Sequence, residues 1–154
     1  MVNKYSVNSK RELETCDYDL VQLFSGILPE YDHTIIEGHR PRARQLELYE
    51  KGLSKVREGR HNSDPSNAVD ASPYIQGRGI PWPKMPENMS LSANQRAGIN
   101  QYVKDMMQFA HFAGYVEASA AFMSVPIRWG GDWDRDHNLS DQTFDDLVHF
   151  ELER

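Results

Sequence analysis

Asp146-Leu-Val-His149-Phe-Glu-Leu152 is the stretch whose reading decides the fold. With a side-chain period of two, Val148, Phe150 and Leu152 face one side of a strand while His149 and Glu151 face the other. Three apolar residues on one face suit a strand that covers a core, so His149 points away from that layer, where a ligand belongs. Asp146 stands three residues before His149, and an unbroken strand would turn the two to opposite faces. Bringing both to one site requires a turn or bulge at Asp146-Leu147.

Working outward, Ala68-Val-Asp-Ala71 is a second short strand with Asp70 inside it, and Asp is depleted from strands unless something there uses it. His61 precedes it in a polar, loop-like segment, 54–66. His61, Asp70 and His149 together make two imidazoles and a carboxylate, a ligand set for catalytic zinc that keeps a fourth position for water, with Asp146 left over. Such a set points to a hydrolase. His33, His39, His111 and His137 lack matching partners and read as structural.

The remaining pattern is mixed rather than all-helical. Ser9 is placed to cap a helix over 10–27, with Leu13, Leu20, Leu23, Phe24 and Ile27 near helical spacing and Pro29 beyond it. Thr34-Ile-Ile-Glu-Gly-His39 reads as a strand running into a turn. A helix follows Pro41 over 43–51, with Gly52 suited to its C-terminal cap. After a Gly/Pro-rich excursion, 76–86, Ser92 opens a helix predicted to end near Ala113 at Gly114, with Ile99, Val103, Met106, Met107 and Ala110 on its apolar stripe. Ile127-Arg-Trp129 is a further strand. Trp129 and Trp133 read as core, whereas Trp82, flanked by prolines, is the expected aromatic of a cleft.

At 154 residues and 39% hydrophobic, the chain fits one domain, 1–154, able to bury roughly 70% of its unfolded surface, with no internal repeat and no separate wall-binding domain expected. The single Cys16 cannot form an internal disulfide, so neither fold nor metal site rests on thiols. There is no apolar run of the ~20 residues a membrane span needs. A formal charge of -6 argues against a broad nucleic-acid footprint. The acidic residues crowd into one stretch, Asp132 to Asp146, where self-repulsion calls for water or a cation. Within it Asp132, Asp134, Asp136, Asn138 and Ser140 offer oxygens at alternating positions, as calcium loops do, but without the turn glycine and closing glutamate of a full EF-hand. A solvated acidic turn is the competing reading.

Several ordered blocks resemble the VanY/LAS-type zinc peptidases, the group that includes phage endolysins of the L-alanyl-D-glutamate type. They are His61 leading to Ser66-Asn-Ala-Val-Asp70-Ala-Ser-Pro-Tyr74, Arg128-Trp-Gly-Gly-Asp-Trp133, and Asp146-Leu-Val-His149-Phe-Glu-Leu, with Gly38-His-Arg40 and Gln45 upstream. The likeness runs from about Thr34 to Leu152. In two respects the chain departs from the family: the His61-to-Asp70 interval is longer, and Ser66 stands where the family has glycine.

The resemblance implies an α+β fold, a small antiparallel sheet flanked by helices with zinc on the sheet, and cleavage of peptide bonds in peptidoglycan stem peptides. It carries His61, Asp70 and His149 over as ligands, Asp146 as the carboxylate that moves protons, and Arg40 as the group that polarises or clamps the substrate, with Gln45 of the upstream block also at the substrate; Trp82 joins them there on its own reading as a cleft aromatic. Zinc held by two neutral imidazoles and one carboxylate would bring a water's pKa to about 7. Asp146 would accept its proton and return it to the leaving amine. Arg40, a permanently charged planar donor, suits charge on a carbonyl oxygen or a substrate carboxylate.

The leading expectation is thus a monomeric phage endolysin, made in the cytoplasm of a bacterial host and acting on periplasmic peptidoglycan once the membrane is permeabilised. A D-alanyl-D-alanine carboxypeptidase of the same zinc chemistry is the alternative. A non-catalytic domain with structural metal is a third class, disfavoured because it has no use for an unliganded Asp146.

Overall fold

The structure, a computed structural model, describes residues 2–86 and 93–154. Its elements in chain order are α1 (Val7–Glu14), α2 (Tyr18–Ile27), β1 (His33–Glu37), α3 (Arg42–Glu50), a 3-10 turn (Arg60–Asn62), β2 (Ala68–Pro73), α4 (Ala93–Met123), β3 (Ile127–Gly130) and β4 (Asp146–Leu152). The four strands form one antiparallel sheet in the order β1-β2-β4-β3, giving the α+β architecture expected from the sequence.

The helix expected over 10–27 is instead two helices. Ser6, not Ser9, caps the first by accepting from the Ser9 amide, while the Ser9 hydroxyl is buried and bonds to β1 at Thr34 and the Ile35 carbonyl. The chain breaks at Thr15-Cys16-Asp17, where Cys16 bridges to Ser66 and Asp17 caps the second helix through the Asp19 amide. Two local caps each satisfy amides that one continuous helix would not need satisfied, so the sequence supports the break.

α4 also differs from expectation. It runs through Gly114 to Met123, and Ser92, read as its opening residue, lies outside the described residues. A glycine inside a helix costs about 1 kcal/mol, less than burying one large apolar side chain yields, about 1.5–3 kcal/mol. Phe112, Ala113, Val116 and Ala120 on either side of Gly114 are all buried, so packing carries the helix on. The apolar stripe is rotated as well: Val103 and Met107 are exposed, and Phe109, Phe112 and Val116 face the core. α3 and its cap agree with the sequence, with Gly52 at φ +69° just past the helix.

α2 and α4 pack together on one face of the sheet, joined to it through Val69, Ala71, Ile127, Phe150 and Leu152. Phe150 and Leu152 are fully buried on that side, while His149 and Glu151 alternate to the other, as the period of two requires. The opposite face of the sheet is therefore free to carry chemistry. Among the described residues, no helix is long and apolar enough to cross a membrane.

Candidate active site

The antiparallel register sets Asp70 of β2 directly opposite His149 of β4. Residues opposite one another across a strand pair project to the same face. His61 arrives from the 3-10 turn, held because its Nδ1 donates to the Gly38 carbonyl at 2.7 Å and the Arg40 amide donates to the His61 carbonyl at 2.8 Å. Gly38 lies so close to α1 that a Cβ there would sit 2.1 Å from the Glu12 carbonyl oxygen, so only glycine fits. The long interval between His61 and Asp70 is folded back by Ser66, which is fully buried and donates to the Ala68 carbonyl.

The result is a cluster of three ligand atoms. His61 Nε2 lies 3.1 Å from Asp70 Oδ1 and 3.2 Å from His149 Nδ1, and the last two are 3.2 Å apart. Ligands bonded to tetrahedral zinc at about 2.0–2.1 Å stand about 3.3 Å from one another. The spacing fits three corners of such a site. Each imidazole is also oriented through its other nitrogen: His61 by Gly38, and His149 by donating from Nε2 to Glu151 at 2.9 Å. A hydrogen bond on the far nitrogen is what fixes tautomer and ring direction in metal-binding histidines.

Hydrogen bonds among these groups set the charge of the cluster. Burial would raise the Asp70 carboxyl, but hydrogen bonds from His149 and His61 keep it well below the usual carboxylate range. Burial would lower His149, yet Asp70 and Glu151 push it up to about 9. Glu151 is opposed by its own burial and held low by His149 and Arg128. The site is thus built for positive charge at its centre, whether from protons or from a metal.

Asp146 comes to the same cleft through the irregularity the sequence demanded. β3 pairs Trp129 with Phe150 but Gly130 with Asp146, so the residues between bulge out of register. A Cβ on Gly130 would meet the Asp146 carbonyl oxygen at 2.4 Å, so a side chain there would force Asp146 away. Burial, with the charge of Asp70 added, raises the Asp146 carboxyl above its ordinary value.

Arg40 completes the wall. Its Nε donates to Glu37 at 2.9 Å, its Nη1 to Gln45 at 3.0 Å, and its Nη2 lies 3.3 Å from Asp70. Gln45 is buried, with its Nε2 donating to Ser54 and the Val56 carbonyl. Gln45 thereby ties Arg40 to the 54–56 loop, and it lines the cleft as well. These groups surround a cleft of about 710 Å³.

Its aromatic wall differs from the sequence reading. Trp82 does not line it, because its ring packs against Phe109 of α4, 5.9 Å between centroids. Trp133 lines it instead, tilted against His149 at 5.6 Å and stacked on Phe144 at 6.2 Å, while Trp129 is core as expected. Glu151, Glu37 and Arg128 were not singled out from the sequence. The signal for Glu151 was present, since it shares a strand face with His149 two residues away.

The four remaining histidines lie elsewhere: His33 is buried against Tyr5, His39 donates its amide to Thr15, His111 meets Tyr31, and exposed His137 lies beside Asp132. In the acidic turn, carboxylate oxygens of Asp132, Asp134 and Asp136 come within 4.8 Å of one another. Beside them Asn138 Oδ1 accepts from Ser140 and its Nδ2 donates to Asp141. Asp145 is exposed, as a solvated turn residue should be.

A family model, phage L-alanyl-D-glutamate peptidase, matches residues 1–97. This chain belongs to that family. The match contains Arg40, His61 and Asp70, and the sheet register adds His149 to them. Among solved structures, the fold is similar to that of the Serratia marcescens L-Ala D-Glu endopeptidase ChiX, with a TM-score of 0.62 and 23% identity over 98% of this chain and 91% of that one. No curated protein matches the chain. The family is one of peptidases, and the site offers the donor set such chemistry needs.

Proposed function

We propose that this chain is a zinc-dependent endopeptidase that hydrolyses the bond between L-alanine and D-glutamate in peptidoglycan stem peptides, in the manner of a phage endolysin. The observation that carries the reading is the convergence of His61, Asp70 and His149 on one point of a cleft that also holds Asp146 and Arg40. Membership of the family and the description of the Serratia enzyme support the choice of bond. The proposed setting is the periplasmic peptidoglycan of a bacterial host, reached from the cytoplasm after membrane permeabilisation, with the protein acting as a monomer.

His61, Asp70 and His149 would hold zinc, which would supply Lewis-acid polarisation and activation of water there. Asp146, its affinity for a proton raised by burial, accepts a proton from the attacking water and delivers it to the departing amine. Without that delivery an amide nitrogen is too poor a leaving group. Arg40, fixed by Glu37 and Gln45, presents its guanidinium to the charge that grows on the carbonyl oxygen. Glu151 keeps the His149 ring turned so that Nδ1 faces the centre.

Incubation with defined muropeptides followed by mass analysis tests the reading. The expected products are separated between L-alanine and D-glutamate. Release of a terminal D-alanine would instead assign the carboxypeptidase alternative, and zinc binding with no cleavage of any muropeptide would assign a non-catalytic domain.

A further inference from the structure

We propose that Lys55 is a specificity residue that binds the free carboxylate of the glutamate on the leaving side of the scissile bond; this rests on the peptidase reading above. Among the described residues, four cations line the cleft: Arg40, Lys55, Arg60 and Arg128. Three are engaged. Arg40 is ion-paired with Glu37 and lies against Asp70, Arg128 is paired with Glu151, and Arg60 donates to the Arg154 carbonyl at 2.9 Å.

Lys55 has no such partner. No described carboxylate lies within 4.0 Å of its ammonium group, and even Glu58 on the same wall turns to Arg42 at 2.6 Å. Instead the Lys55 Nζ sits 5.9 Å from the centre of the Phe144 ring. Phe144 stacks on Trp133, which lies against the metal-facing His149, so this run of rings sets the lysine on the wall leading out from the ligand cluster. The ring face under the exposed ammonium attracts it and limits its wandering.

The substrate has the complementary charge. A glutamyl residue that is acylated on nitrogen at the scissile bond and joined onward through one carboxyl group keeps its other carboxylate free. That anion lies within a few bonds of the amide being cut, so a cation lining the same cleft is needed to meet it. Arg40 is committed to Glu37, Asp70 and the reacting carbonyl, Arg128 to Glu151 and Arg60 to the Arg154 main chain, which leaves Lys55 as the cleft cation with no partner in the protein.

The experiment compares two short stem-peptide substrates, one with D-glutamate after the scissile bond and one with that free carboxylate converted to an amide. Wild-type protein is expected to prefer the acid by about tenfold in kcat/KM, mainly through KM, as loss of a substrate hydrogen bond to a charged partner does. Lys55→Met, which keeps the apolar stem over Phe144, should raise KM for the acid about tenfold, leave the amide unchanged and so erase the preference. Lys55→Arg should restore most of it. Raising ionic strength should erode the preference in the wild type and not in Lys55→Met.

Cleavage with an unchanged preference in Lys55→Met, or an equal loss on both substrates, overturns the role of the lysine while leaving the peptidase reading in place. Wild-type protein that cleaves neither substrate overturns both.

Discussion

The His61, Asp70 and His149 cluster and the Asp132, Asp134 and Asp136 turn each bring three ligand atoms within 4.8 Å of one another, but the fold supports them very differently. In the first, two strands in register, a 3-10 turn and a hydrogen bond on the far side of each imidazole hold the donors in place before any ion arrives. In the second, Asp132 alone is buried, with one carboxylate oxygen lacking a partner, while Asp134 and Asp136 lie exposed to water. Closeness of ligand atoms is therefore a poor guide by itself. What separates the two is whether the supporting hydrogen bonds and strand pairing are already made, because an ion that must order its own ligands gives up affinity in doing so.

The largest effect expected of this contrast comes from removing a donor at the organised site. His149→Ala should abolish stoichiometric zinc binding and lower hydrolysis by at least about 10³-fold, read by metal analysis and muropeptide cleavage on the same sample. Retained zinc and activity in that variant would erase the distinction. Asp146→Asn comes next: zinc should stay bound while kcat falls by about 10²–10⁴-fold, the usual scale for losing a general acid and base. Parallel loss of zinc would make Asp146 a ligand rather than a proton carrier.

Glu151→Gln probes the support directly. It retains the shape but weakens the grip on His149, so zinc affinity should drop about 10–100-fold, measured by competition with a chelator. An unchanged affinity would mean the strand register suffices alone.

His33 sharpens the comparison from another side, as an imidazole equally buried but placed for packing. Its Nδ1 donates to the Tyr31 carbonyl at 2.8 Å, Nε2 lies against the Tyr5 hydroxyl, and burial lowers its pKa to about 4. The unfolded chain takes up a proton below about 6.5, which the folded chain refuses until pH is near 4. Stability is thus fully present above pH 6.5 and is lost as pH falls toward 4, by a few kcal/mol at most. His33→Phe should flatten that part of the pH profile in denaturant melts, with hydrolysis retained at neutral pH. The smallest effect belongs to the acidic turn: without calcium, Asp134→Asn or Asp136→Asn should change stability by no more than about 0.5 kcal/mol, as exposed substitutions do.

Much of this was readable from residues because the relevant patterns are local. The alternation around His149 set both its face and the core face of β4, and the three-residue gap to Asp146 demanded the bulge that Gly130 permits. Longer-range packing was not readable in the same way. Gly114 looks like a helix end until the buried residues on both sides of it are known to face a sheet. Trp82 looks like a cleft residue until its ring is seen against Phe109, and the cleft aromatic proves to be Trp133. Ser9 and Ser6 are equally good caps by type, and the competition is settled by Ser9 turning inward to β1. In each case residue type limited the choice, and a partner distant in sequence made it.

The most direct test is a zinc titration of chelator-stripped protein with hydrolysis followed at every point. Activity should rise in proportion to bound zinc and reach its plateau at one ion per chain, with His61→Ala, Asp70→Ala and His149→Ala each failing to recover. Full hydrolysis in the stripped protein, or recovery by any of the three variants at the same zinc level, would contradict a centre built from those side chains.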